Sequence, residues 1–91
     1  MISVELSKRF KKIVRAARRE EEVSATLRLV LEGFGQPHAH TGLAIRNLGN
    51  LLYVCRTGLT WRLVFEAQKG VLTFDFAGHH DEVQTYLRSK R

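Results

Sequence analysis

One cysteine, one proline and one tryptophan occur in 91 residues, and no apolar run approaches the length of a membrane span. Each scarcity excludes something. The lone cysteine, Cys55, leaves no disulfide framework, so a reducing, cytoplasmic setting is expected and no membrane partner. The start, MISVELSKRFKK, lacks the apolar core of a secretory signal. With Pro37 the only proline, one segment alone reads as a loop of length, residues 35–42 (GQPHAHTG). Acidic residues are scarce too: 9 Asp and Glu stand against 15 Lys and Arg, a net charge of +6. That excess fits an anionic partner, nucleic acid or acidic protein, as well as it fits a solubilising surface. There is no Cys-x-x-Cys, no His-Glu-x-x-His and no glycine-rich phosphate loop. No metal and no cofactor are therefore expected.

What is present has the composition of an ordinary folded chain, 44% hydrophobic and 26% charged, and predicts one domain over residues 1–91. Residues 2–6 alternate Ile2, Val4 and Leu6 against Ser3 and Glu5, the period of a strand. Ser7 can then cap a helix whose apolar face is Phe10, Ile13, Val14 and Ala17. Seven basic residues share residues 8–19 with that face. The acidic run Glu20, Glu21, Glu22 suits the positive end of a second helix, buried through Val23, Leu27, Val30, Leu31 and Phe34.

After residue 42 the period changes to two. Residues 43–48, 51–56, 60–66 and 71–77 read as four strands joined by hairpin turns, hence a mainly antiparallel sheet. Trp61, Leu63, Phe65, Leu72, Phe74 and Phe76 form the expected core face, with both helices on that side only. The other face is left open and partly basic, with Arg62 in mid-strand upon it. Residues 81–91 predict a short helix with Val83, Tyr86 and Leu87 on one side. At the junction stand two histidines, His79 and His80, either turn and cap residues or the rim of a site.

The order of elements, and the stretches VELSKRFKK, LLYVCRTGLTWRLVF and FAGHHDEVQTYL, resemble the RelE/ParE superfamily of bacterial toxins. The middle stretch resembles that family's L-Y-x-x-R-x-G…Y-R-hydrophobic signature, with Trp61 before Arg62. The glycine, spacer, histidine pattern at Gly78-His79-His80 resembles a YafQ-like branch of mRNA interferases. The resemblance implies an α+β fold: an N-terminal strand and helical hairpin packed on an antiparallel sheet, with a short C-terminal helix. It also implies the toxin of a type II toxin–antitoxin system, with a cognate antitoxin, ribosome and mRNA as partners. Its activity would be metal-independent, ribosome-dependent endoribonuclease cleavage that stops translation. The family equally contains ParE-like inhibitors of DNA gyrase, which act by binding, and a member without toxicity is a third reading.

For the nuclease reading, the resemblance makes Arg62 the cation that stabilises the pentacoordinate phosphate. His80 becomes the acid that protonates the leaving 5′-oxygen. Arg46, Arg56, His40 and His79 are candidate RNA contacts. RelE itself carries lysines on the second hairpin strand, where this chain has Leu52 and Val54 beside Arg56. A histidine-based scheme is therefore expected in place of a lysine-based one.

Overall fold

Ser7 separates the first strand from the first helix, and its side chain does the separating. In the computed structural model, which describes residues 2–34 and 43–90, the Ser7 hydroxyl accepts the Phe10 N–H at 3.0 Å. One of the free donors of the helix start is thereby satisfied. Strand β1 (Ser3–Leu6) lies before it and helix α1 (Lys8–Ala16) after it. Arg18 turns the chain in a left-handed conformation (φ 56°) into helix α2 (Glu20–Gly33). Helix α2 has no side-chain cap; Glu20, Glu21 and Glu22 sit at its positive end instead. The loop of residues 35–42, with His38 and His40, lies outside the described residues.

Four strands follow: β2 (Arg46–Gly49), β3 (Leu52–Thr57), β4 (Trp61–Gln68) and β5 (Val71–His79), then helix α3 (His80–Lys90). The five-stranded sheet has the order β1-β5-β4-β3-β2. The hairpins are antiparallel as expected, but β1 pairs with β5 in parallel, so the sheet is mixed. Two helices lie between β1 and the rest of the sheet in sequence, which frees the strand to enter at the far edge in either direction.

The main core lies between α1, α2 and one sheet face. Phe10, Phe65, Phe74 and Leu63 are essentially fully buried there, each contributing about 1.5–3 kcal/mol by leaving water. Phe65 is the centre of an aromatic run, 4.6 Å from Phe74 and 5.5 Å from Tyr53 between ring centroids. Cys55 and Trp61 share this core. Burial pushes the Cys55 thiol up to about 12, so it stays protonated and inert. On α2 the buried positions are Val23, Thr26, Val30 and Gly33, whereas Leu31, expected inside, is exposed. Thr26 takes its place inward because its hydroxyl meets that of Thr57 at 2.6 Å. The Thr57 hydroxyl lies 3.5 Å from the Glu22 carbonyl, so neither buried oxygen is orphaned.

The second face corrects two expectations. It is not left open: α3 packs on it and buries Val54, Val64, Val83 and Tyr86. Nor does Phe76 belong to the α1–α2 side. The register steps from Phe65↔Phe74 to Val64↔Phe76, making Asp75 the extra residue of a β-bulge. The parity of β5 flips there, and Phe76 faces α3 with its ring stacked 4.4 Å from Tyr86. The Tyr86 hydroxyl donates to the Asp75 carboxylate at 2.5 Å. Arg9 and Lys90 approach both Asp75 and the Tyr86 ring. The bulge therefore supplies both the apolar and the polar anchor of α3.

Candidate functional site

Helix α3 covers only part of its face, and the uncovered part is arginine. Counting across the sheet, Arg46, Val54, Val64 and Phe76 form one register row, and Arg56, Arg62 and Gly78 form the next. Cross-strand partners share a face, so Arg56 and Arg62 stand side by side on the α3 side of the sheet. Like charges directly opposite destabilise a sheet. No side-chain hydrogen bond or ion pair relieves Arg46, Arg56 or Arg62 among the described residues. Glu66 and Asp75, the obvious partners, are not used: Asp75 is taken by Arg9, Lys90 and Tyr86.

A cleft of about 140 Å³ opens at this point, lined by Arg46, Arg62 and His80 over Leu48, Val54, Val83, Gln84 and Leu87. Strand β4 positions Arg62, strand β2 positions Arg46, and the first residue of α3 is His80. Arg56 adjoins Arg62 through the register without lining the cleft. His79 is placed differently. It ends β5 in register with Trp61, whose ring belongs to the α1–α2 core, and its exposed side chain does not line the cleft. What His79 contributes is its backbone N–H, which donates to Glu82 Oε1 at 2.8 Å. That is the returning half of a capping box, with Glu82 at the third helical position.

Gly78 completes the turn. A Cβ at this position would meet Glu82 Oε1 at 3.0 Å and Glu82 Cβ at 3.1 Å. The glycine lets Glu82 lie against the strand end, and Glu82 holds the strand-to-helix turn that carries His80 into the cleft. Sequence reasoning reached Arg46, Arg62 and His80 but not Gln84. The signal was available, since residues 80, 84 and 87 follow one helix face.

Chemically the arrangement offers two cations over an apolar floor and one imidazole at the rim. Guanidinium groups suit phosphate oxygens, which they bind in forked pairs. No group of three or more His, Cys, Asp or Glu residues is placed to hold a metal ion among the described residues. No helix among them is long and apolar enough to cross a membrane.

No protein-family model matches this sequence, and no curated protein matches it either. Solved structures do. The crystal structure of YafQ from E. coli strain BL21(DE3) superposes with a TM-score of 0.66 at 17% identity, over 91% of this chain and 98% of that one. The solution structure of HP0892, a conserved hypothetical protein of Helicobacter pylori, gives 0.64 at 21% identity over 91% and 99%. The E. coli DinJ–YafQ complex gives 0.61 at 17% identity, over 91% and 98%. At these identities the likeness speaks for the backbone alone. This chain has the YafQ fold, the RelE/YafQ-like α+β architecture that its sequence resembles.

Proposed function

We propose that this protein is the toxin of a type II toxin–antitoxin pair and acts as an endoribonuclease on mRNA bound to the ribosome. The single observation that carries the reading is the cleft itself: Arg46 and Arg62 converge with His80, beside a cross-strand Arg56–Arg62 pair that no acid among the described residues neutralises. A sheet keeps such a pair when a polyanion occupies it. The shared fold with YafQ, which has been crystallised with DinJ as a toxin–antitoxin complex, supports a partner of the same kind here.

In this mechanism the RNA ribose 2′-hydroxyl attacks the adjacent phosphorus and passes its proton to water, while the bond from phosphorus to the 5′-oxygen breaks, leaving a 2′,3′-cyclic phosphate. Arg62 stabilises the charge gathering on the phosphoryl oxygens, and His80 gives a proton to the departing 5′-oxygen. Arg46 and Arg56 hold the flanking backbone. The proposed chemistry calls on these side chains and water. Induced expression in bacteria tests the reading: translation should stop first, with message cut on ribosomes. DNA damage preceding the translation arrest would instead place the protein with the gyrase-binding ParE-like toxins.

A further inference from the structure

The cleft at Arg62 does not end beside His80. A larger groove of about 430 Å³ continues from it between α3 and the turn joining β2 to β3. The two share Leu48, Gln84 and Leu87. Along this path the chemistry changes. The near end carries Arg46 and Arg62, while the far part carries the amides of Asn50 and Gln84 and one charge of each sign, Glu66 and Lys90, over leucine walls. A phosphate is drawn to the near end, where two cations stand together, more than to the far part, where Lys90 is offset by Glu66 and lies 3.9 Å from Asp75. Amides and a carboxylate above an apolar floor match the edge and faces of an unstacked base instead.

Gln84 joins the two parts, being the one polar side chain among the described residues that lines both. It follows His80 by four residues, which puts the two one turn apart on the same helix face. Its side chain is exposed and makes no hydrogen bond among the described residues.

We infer that this groove is a nucleobase subsite, in which Gln84, with Asn50 and Glu66, reads the base next to the scissile phosphate. The inference rests on the RNA-cleaving reading above. Gln84 alone can serve any base by turning its amide. The Glu66 carboxylate accepts, and so sets the preference: adenine, cytosine or guanine, whose exocyclic amino groups donate, over uracil, which has none.

Two measurements on the full chain test this. The first is an NMR titration with short adenine, cytosine or uracil oligonucleotides, made uncleavable by 2′-deoxy sugars, following the Gln84 and Asn50 side-chain amides. Those signals should move with adenine and cytosine and much less with uracil. The second is sequencing of cut ends from programmed ribosomes for wild type, Gln84→Leu and Glu66→Gln. Wild type should favour adenine, cytosine or guanine over uracil beside the cut; Glu66→Gln should reduce that preference by about 10-fold, and Gln84→Leu should slow cleavage at every base without changing the preference. Arg62→Ala, by contrast, should remove cleavage of every sequence. If the amides stay still with all three oligonucleotides, or Glu66→Gln keeps the wild-type preference, the subsite is wrong. If wild type cuts no message, the nuclease reading fails, and the titration alone decides whether the groove takes a base.

Discussion

Arg56 and Arg62 face each other across β3 and β4, a pairing that folding disfavours and that RNA would reward. Two effects of replacing Arg62 should therefore separate. In Arg62→Ala, cleavage on programmed ribosomes should fall by roughly 100-fold or more, the share of a lost transition-state cation. Thermal stability should hold or rise by about 0.5 kcal/mol, because the like-charge contact is gone. Full cutting by a folded variant would remove the phosphate-stabilising role, and unfolding would contradict the placement of its side chain outside the core. The two histidines should separate as well. His80→Gln keeps a polar side chain at the cleft but loses the transferable proton, and single-turnover cleavage should slow by about 100-fold to 10,000-fold. His79→Gln should be mild, since Glu82 uses the backbone of His79 and not its ring. Comparable small effects at both positions would return the pair to ordinary turn residues.

Among the elements, α3 carries the most consequence for the cleft, since it supplies His80 and Gln84. Its first turn is held by Glu82 and its middle by Tyr86, so the two ends of its anchorage can be loosened independently. Glu82→Ala removes the bond to the His79 N–H and should lower turnover while leaving RNA affinity near wild type. Glu82→Gln, which still accepts that bond, should restore most of the rate; if it fails to, Glu82 acts through its charge instead. At the other anchor, burial alone would raise the Asp75 carboxyl. The bonds from Tyr86 and Ser7 and the charges of Arg9 and Lys90 outweigh it, and the pKa lies below the ordinary 3.8. A depressed carboxyl stabilises the fold above its unfolded pKa and loses that contribution as pH falls through the native one. Melting curves should therefore show wild type and Asp75→Asn well separated at neutral pH and converging in acid below about pH 4. A constant gap would mean that Asp75 contributes by shape and not by charge. Burial and the bond to Asp75 likewise raise the Tyr86 hydroxyl, which keeps it a donor at any working pH.

Much of this was legible in the sequence, and the failures have physical causes. Alternation over β4 gave both faces correctly, and with them the side on which Arg62 lies, because an unbroken strand keeps its parity. In β5 the same rule misplaced Phe76, since a bulge at Asp75 changes the parity without leaving a mark on the apolar pattern. Thr26 escaped notice because a polar residue looks exposed until its partner, Thr57, is known. The covering of the second face by α3 was missed because an amphipathic helix names its own buried side but not the surface it meets. Gly78 and Glu82, which hold the histidine turn, become meaningful only in three dimensions.

At the scale of the whole molecule the +6 charge is divided between opposite sides. Lys8, Arg9, Lys11, Lys12 and Arg15 lie exposed on α1, while the arginine cleft lies on the α3 side of the sheet. A partner that silences both surfaces needs length more than bulk, which is the geometry of an acidic, unstructured segment that folds as it wraps. Co-expression with the product of the adjacent small reading frame should yield a stable complex and suppress toxicity, with affinity falling as salt rises. A neighbour that neither binds nor protects would take away the main support for an antitoxin.

The parallel pairing of β1 with β5 has a consequence in time. The contacts that close this edge join residues as far apart as Ser7 and Asp75, 68 positions along the chain. Closing so long a loop costs entropy before any contact returns it, which slows folding and pushes this step late. His80 follows immediately after β5, the strand that this late pairing locks into the sheet. Stopped-flow refolding, followed through the buried Trp61, should show a phase of milliseconds to seconds, with activity appearing no earlier than that phase. A newly made molecule would thus pass through an interval in which it is harmless, and a waiting partner would have that interval in which to reach it first.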